Sequence, residues 1–161
     1  MKIIVQRVSE AGVDVVDEIS GKPDTSFEEQ RIGHGLLLLV GVADSDGDAQ
    51  VEYAARKIAN MRIFGDEVGK MNKSVLDVGG QVLSVSQFTL FADIKKGNRP
   101  SFVDSGEPGN AKAIWEQLNR ALEGHGLAVK TGRFGAHMRV RLLNDGPVTI
   151  PIDTDLLMAG K

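Results

Sequence analysis

The chain has 161 residues, with 19 Lys and Arg, 22 Asp and Glu and three His, giving a formal net charge of −3 at pH 7. That length, with 42% apolar and 25% charged residues, predicts one globular domain able to bury a core. The absence of Cys excludes disulfides, thiolate nucleophiles, iron–sulfur clusters and Cys-based zinc sites, and it fits a reducing compartment. No apolar run approaches the ~18–20 residues of a membrane span. The start, MKIIVQRVSEAGVDVV, lacks the continuous apolar centre of a signal peptide, so a cytoplasmic protein is expected. Charge is unevenly placed: Glu10–Glu52 holds 11 acids and two bases, Tyr53–Leu143 14 bases and 8 acids. A basic lobe of this kind can attract a polyanion; a solvated mixed surface is the plainer reading.

Residues Lys2–Val16 alternate as a strand does, with Ile4, Gln6 and Val8 on one side and Ile3, Val5 and Arg7 on the other. Asp17–Gln30, polar and containing Gly21 and Pro23, reads as a long turn. Gly35–Val42 is a continuous apolar run suited to a buried strand. The acidic turn Asp44–Asp48 is placed to cap a helix carrying Val51, Ala54, Ala55, Ile58 and Ala59, with its end near Gly65. Val75–Leu83 predicts a hairpin about Gly79-Gly80 that leads into the strand VLSVSQF. Ala92–Gly109 is a connection longer than the ~12–15 residues usual for plain loops, and so a candidate binding loop. A second helix carries Ala111, Ile114, Trp115, Leu118, Ala121 and Leu122 and is stopped by Gly124 and Gly126. Strands are expected at Ala128–Thr131, Met138–Asn144 and Val148–Ile152, the last two joined by a turn at NDGP. The fold class is α/β: a single-domain mixed β-sheet sandwich with two main helices layered on it, over residues 1–152, followed by a tail, residues 153–161, without clear assignment.

The usual enzymatic motifs are absent. His34, His125 and His137 are scattered and lack ligand spacing, so no metal site is expected. Asp44, Asp46 and Asp48 lack the twelfth-position glutamate of a calcium loop, because residue 55 is Ala. No phosphate-binding glycine loop or nucleophile elbow occurs, and no cofactor is expected. Two segments remain. Ser86-Gln87-Phe88-Thr89-Leu90 ends a buried strand in polar residues, where backbone N–H groups released from the sheet can act as oxyanion donors; a plain strand terminus is the alternative. Asn144-Asp145-Gly146-Pro147-Val148-Thr149 reads as a hairpin turn, or as a Gly-Pro pair, open to the cis form, that exposes carbonyl oxygens.

Taken together with Gln6-Arg7-Val8, GLLLLVGV, RIFGDEVGKMN (Arg62–Asn72), GNRPSF (Gly97–Phe102) and TGRFGAHM (Thr131–Met138), these segments resemble the D-aminoacyl-tRNA deacylase (D-tyrosyl-tRNA deacylase) family. The likeness runs from the first strand to about residue 152. The long Asp17–Gln30 turn and the tail after Ile152 are departures outside the signatures. The resemblance implies a three-layer β/β/α fold and a homodimer with an active site at each subunit boundary. In that scheme Gly146 and Pro147, as a cis pair supported by Arg7, reach from one subunit into a pocket of the other lined by Ser86, Gln87, Phe88 and Thr89. The implied reaction is hydrolysis of the ester of D-aminoacyl-tRNA to free amino acid and tRNA.

Several expectations follow from that resemblance. A rigid main-chain wall screens handedness while leaving the side chain free, whereas a fitted apolar pocket separates one methylene by only ~1–3 kcal/mol. Glycyl-tRNA, having no side chain to exclude, is then accepted to some extent. Thr89 has no His or Asp in the motifs to activate it. Water attack with oxyanion donors near Phe88 and Thr89 is therefore favoured, assisted, as proposed for the family, by the substrate ribose 2′-hydroxyl. Lys95, Lys96, Arg99, Arg133, Arg139 and Arg141 are candidate tRNA phosphate contacts. The competing readings are a small-molecule ester or thioester hydrolase without RNA, and a tRNA- or nucleotide-binding module without catalysis.

Overall fold

The long first strand organises the sheet. In the computed structural model, which describes residues 1–159, β1 spans Lys2–Val15. It is followed by β2 (Gln30–Ile32), β3 (Gly35–Gly41), α1 (Asp48–Asn60), β4 (Phe64–Gly65), β5 (Met71–Lys73) and β6 (Gln81–Ser86). A 3₁₀ turn, Phe88–Phe91, leads on to α2 (Pro108–Gly124), β7 (Ala128–Thr131), β8 (Met138–Asp153) and α3 (Thr154–Met158). The main sheet runs β2-β1-β3-β6-β7, with β8 paired to β1. The β3–β6 and β6–β7 pairs are parallel, and β1 is antiparallel to β2, β3 and β8.

Alternation along the strands builds a core on each face. Ile3 and Val5 of β1, Leu36, Leu38 and Val40 of β3, and Val82 of β6 meet the apolar stripes of α1 and α2. On the other face Leu37, Leu83 and Val85 are covered by Val8, Ala11, Val13 and Ile32, with Met138 and Val140 beside them. The switch of faces within β1 has a cause. Two register shifts opposite β8, at Gln6/Val8 and Val8/Glu10, turn the strand over, as bulges do. Its distal half then folds back with β2 and β8 as a second β layer. Helices, central sheet and folded-back strands give the three layers, and truncating a fully buried residue between them, such as Leu37 to Ala, should cost about 2–5 kcal/mol.

Local readings fail where a distant partner decides the path. The helix stripe of α1 is as expected, but the helix stops at Asn60 rather than near Gly65, because Ile63 and Phe64 leave it to enter the core. The acidic turn does not cap through its carboxylates: Gly47 is the N-cap, and buried Asp46 accepts from the Ala43 N–H at 2.7 Å and pairs with the Met1 ammonium. No hairpin forms at Gly79-Gly80; a Ser74–Asp77 capped turn precedes β6, which pairs parallel with β3. NDGP is not a hairpin turn either. β8 is one strand whose two halves both pair with β1. The tail forms α3 as far as Met158, and its last two positions, 160 and 161, lie outside the described residues.

Candidate active site

Gly41 lets the chain turn closely beside the site. A side chain there would meet the Gln87 carbonyl at 3.0 Å and the Phe91 ring at 3.0 Å, so its absence lets the segment after β6 lie close against β3. The Gln87 N–H donates to the Val40 carbonyl at 2.7 Å, and the chain then turns into the 3₁₀ segment. SQFTL is therefore a strand end at Ser86 followed by a turn, rather than a strand through Phe88. The first backbone bond of the turn is Leu90 N–H to the Gln87 carbonyl, at 3.3 Å. The N–H groups of Phe88 and Thr89 precede it and have no acceptor among the described residues. The Thr89 hydroxyl accepts from the Gln87 side-chain amide.

Beside this turn is a cavity of about 340 Å³. Ser86, Gln87 and Phe88 line one side, while Ser105 and Gly106 of the long loop face them. Trp115 and Phe134 form its inner wall, their rings 5.9 Å apart. The Trp115 indole N–H donates to buried Ser84 Oγ at 2.9 Å, which fixes the ring. Phe102 packs edge-on against Phe88 at 5.0 Å, joining the loop to the turn. No titratable side chain lines the cavity among the described residues. The arrangement offers backbone donors and apolar shape but no general base.

The second segment is held as firmly, at another place. Asn144 pairs with Val8 and Thr149 with Gln6, so residues 145–148 bulge out opposite Arg7 alone. Arg7 Nε donates to the Asp145 carbonyl at 2.9 Å and Nη1 to the Ile63 carbonyl at 2.5 Å. At the base of the bulge, Asn144 Oδ1 accepts from the Val148 N–H at 3.1 Å, and the Thr149 hydroxyl donates to Gln6 Oε1 at 3.0 Å. Gly146 has φ +135°, the Gly146–Pro147 peptide is cis, and both residues are exposed.

Within one chain these two segments do not meet. Ser86 pairs with Val40, which pairs with Ile3, whereas the bulge lies opposite Arg7, four residues further along β1. Standard strand dimensions make that about 13 Å along the strands and about 14 Å across them.

The basic residues divide into two groups. Lys95, Lys96 and Arg99 are exposed on a finger closed by the Asp93–Ser101 bridge. Arg133 donates to Asp24 at 2.7 Å and to the Ser26 carbonyl at 3.0 Å, and lies over the Phe27 ring. The Ser26 hydroxyl and N–H, with Arg133 beyond them, hold the Asp24 carboxyl below its ordinary range. Arg141 pairs with Glu29, and exposed Arg139 lies beside Gly21. The 17–30 segment thus lies over the arginines of β8 and its approach. The sequence analysis took Trp115 only as core and overlooked Ser105 and Gly106, and it did not join Gln6 to Asn144 and Thr149 as a cluster; polar Gln6 and Arg7 between Val5 and Val8 were the available signal.

Comparison with known proteins matches this architecture. The family model for D-Tyr-tRNA(Tyr) deacylase matches residues 4–153. The D-aminoacyl-tRNA deacylase of Bifidobacterium adolescentis is 62% identical over 157 residues, covering 98% of this chain and 99% of that protein. The protein of the same name from Brevibacillus brevis is 53% identical, covering 96% and 100%. Among solved structures, the c-Myc DNA Unwinding Element Binding Protein superposes with a TM-score of 0.81 at 38% identity, over 95% of this chain and 98% of that one. A probable eukaryotic D-amino acid tRNA deacylase shares the fold, with a TM-score of 0.76 at 15% identity, over 94% and 98%. The family match over residues 4–153 and sequence identity of 53–62% across nearly the whole chain place this chain in the D-aminoacyl-tRNA deacylase family.

Proposed function

We propose that the chain hydrolyses the ester of D-aminoacyl-tRNA and that its working unit is a homodimer, in which Gly146-Pro147 of one protomer closes the cavity of its partner. The observation that carries the dimer is the separation of the two signature segments. A bulge that lies about 13 Å along and 14 Å across the strands from the cavity cannot act on the same ester from within one chain. The outer edge of β8 has no strand partner among the described residues and exposes Leu142 and Leu143, the kind of edge that a second copy covers.

In this reading the terminal adenosine enters the cavity with its ester carbonyl toward the N–H groups of Phe88 and Thr89. Those donors stabilise the oxyanion as water attacks; the ester C–O bond then breaks, and the ribose oxygen leaves with a proton. No side chain of the cavity can act as the base, so the neighbouring ribose hydroxyl is the group suited to relay that proton. Main-chain atoms of Gly146-Pro147 meet the α-carbon of the amino acid, so an L-residue is excluded by handedness and not by side-chain size. Glycine passes this screen. Lys95, Lys96, Arg99 and Arg139 meet tRNA phosphates, in the cytoplasm where charged tRNA is used.

The test is ester loss from matched D- and L-aminoacyl-tRNAs by the purified protein. Turnover of the D-ester with the L-ester spared supports the reading. Equal activity on free D-amino-acid esters lacking adenosine would favour the small-molecule hydrolase, and retention of D-aminoacyl-tRNA without turnover would favour a binding module.

A further inference from the structure

The inner wall of the cavity is a partition. Trp115 and Phe134 line the cavity on one side and, on the other, an open hollow of about 350 Å³ between α2 and the end of β7. Packing alone does not fix a ring with space on both sides, because the atoms that would oppose its movement are missing there. Phe134 is half-buried and belongs to no strand or helix, lying in the connection from β7 to β8. Its ring leans on that of Trp115, at 5.9 Å and 45°. One residue holds both. Ser84 is fully buried in β6, between Val82 of the core and Ser86 of the cavity on the same face of the strand. Its hydroxyl accepts the Trp115 indole N–H at 2.9 Å. Its main-chain carbonyl accepts the Gly132 N–H at 3.0 Å, two residues before Phe134. A hydroxyl buried under apolar helices costs free energy unless it is bonded, and the bond Ser84 makes is to a ring of the cavity wall.

We propose that Ser84 is a positioning residue for the substrate: acting through Trp115, it holds Phe134 as the face against which the purine of the terminal adenosine packs. The Ser84 hydroxyl touches no substrate atom itself. Without its bond the indole turns about its own side-chain torsions, Phe134 yields toward the hollow behind it, and the purine meets a wall that gives way. The oxyanion donors of Phe88 and Thr89 are anchored separately, through the Gln87 N–H to Val40 carbonyl bond at 2.7 Å. Loss of the Ser84 bond therefore acts on binding and leaves the chemical step. The inference rests on the substrate reading above, which puts adenosine in this cavity.

The experiment is a double-mutant cycle of Ser84→Ala and Trp115→Phe, read as KM and kcat on D-aminoacyl-tRNA, calorimetric affinity for adenosine, and melting temperature. Ser84→Ala should raise KM and the adenosine Kd about fivefold, the scale of one neutral hydrogen bond, with kcat within about twofold of the wild type. Trp115→Phe lacks the indole donor and should raise both as well, and Ser84→Ala should add nothing further in that background. Trp115 is the one tryptophan of the chain, so fluorescence anisotropy reports on the wall directly and should fall in Ser84→Ala. A folded Ser84→Ala with wild-type KM and adenosine affinity would overturn the proposal, even if its melting temperature fell, because the bond would then be structural only. An equal rise in KM with and without Trp115 would overturn it too. If Ser84→Ala does not fold, Trp115→Phe decides, and wild-type KM and adenosine affinity in that variant would overturn it. Absence of D-aminoacyl-tRNA turnover by the wild type would remove the substrate reading itself, a failure visible without any variant.

Discussion

Arg7 and Asp145 are joined from side chain to main chain, Arg7 Nε to the Asp145 carbonyl at 2.9 Å, while the same guanidinium holds the Ile63 carbonyl through Nη1 at 2.5 Å. One fork thus ties the bulge of β8 to the segment that follows α1. A lysine offers a single point of donation and cannot span both carbonyls. Arg7→Lys should therefore loosen the bulge, lowering kcat/KM for D-aminoacyl-tRNA about tenfold or more, the scale of one lost charge-assisted bond, and narrowing the gap between D- and L-esters. Single-turnover rates on matched esters measure both.

Gly146→Ala acts at the same place by crowding. The added Cβ would lie 2.8 Å from Val148 Cγ2 and 2.9 Å from Arg7 Nη2, at a backbone φ of +135° that costs a side chain about 1–3 kcal/mol. The bulge is exposed, so the expected change in melting temperature is a few degrees, while D/L discrimination falls sharply. Unchanged discrimination in a folded variant contradicts the role assigned to Gly146.

Thr89→Ala removes a hydroxyl that accepts from Gln87 but leaves its backbone N–H. Deacylation should persist, reduced by no more than about tenfold. Complete loss in a folded protein would make the hydroxyl the nucleophile and overturn the water mechanism.

Charge removal on the exposed finger, in Lys95→Ala/Lys96→Ala/Arg99→Ala, should weaken tRNA binding and make it less salt-dependent. The slope of log K against log salt should flatten by about 2, as three lost phosphate contacts predict. A slope equal to that of the wild type would mean that the finger does not touch RNA.

Periodicity made the elements of this fold readable wherever the pattern was itself the cause. The stripe from Ala111 to Leu122 and the alternation of Ile3 and Val5 at the start of β1 are set by burial on one side, which the sequence carries directly. The hairpin readings of Asp-Gly-Pro and Gly79-Gly80 failed, though the cis Gly146-Pro147 pair was legible, because turn chemistry is local, whereas reversal of the chain depends on the strand it meets. β1 is long enough to pair with both halves of β8, and β3 takes β6 in parallel. The polar signature residues could be picked out, but the Trp115–Phe134 wall could not, since residues on α2 and before β8 become neighbours only through packing.

The shared cavity is tested most directly by subunit complementation. One protomer carries Gly146→Val; the other carries Ser105→Trp, which fills the cavity from its rim, and each homodimer is assayed alone and after mixing by co-refolding. If the bulge serves the partner's cavity, each mixed dimer has one intact site, and random mixing should restore about a quarter of wild-type D-aminoacyl-tRNA deacylation from two inactive parents. No recovery, with mixed dimers present, would mean that each chain relies on its own bulge or on none.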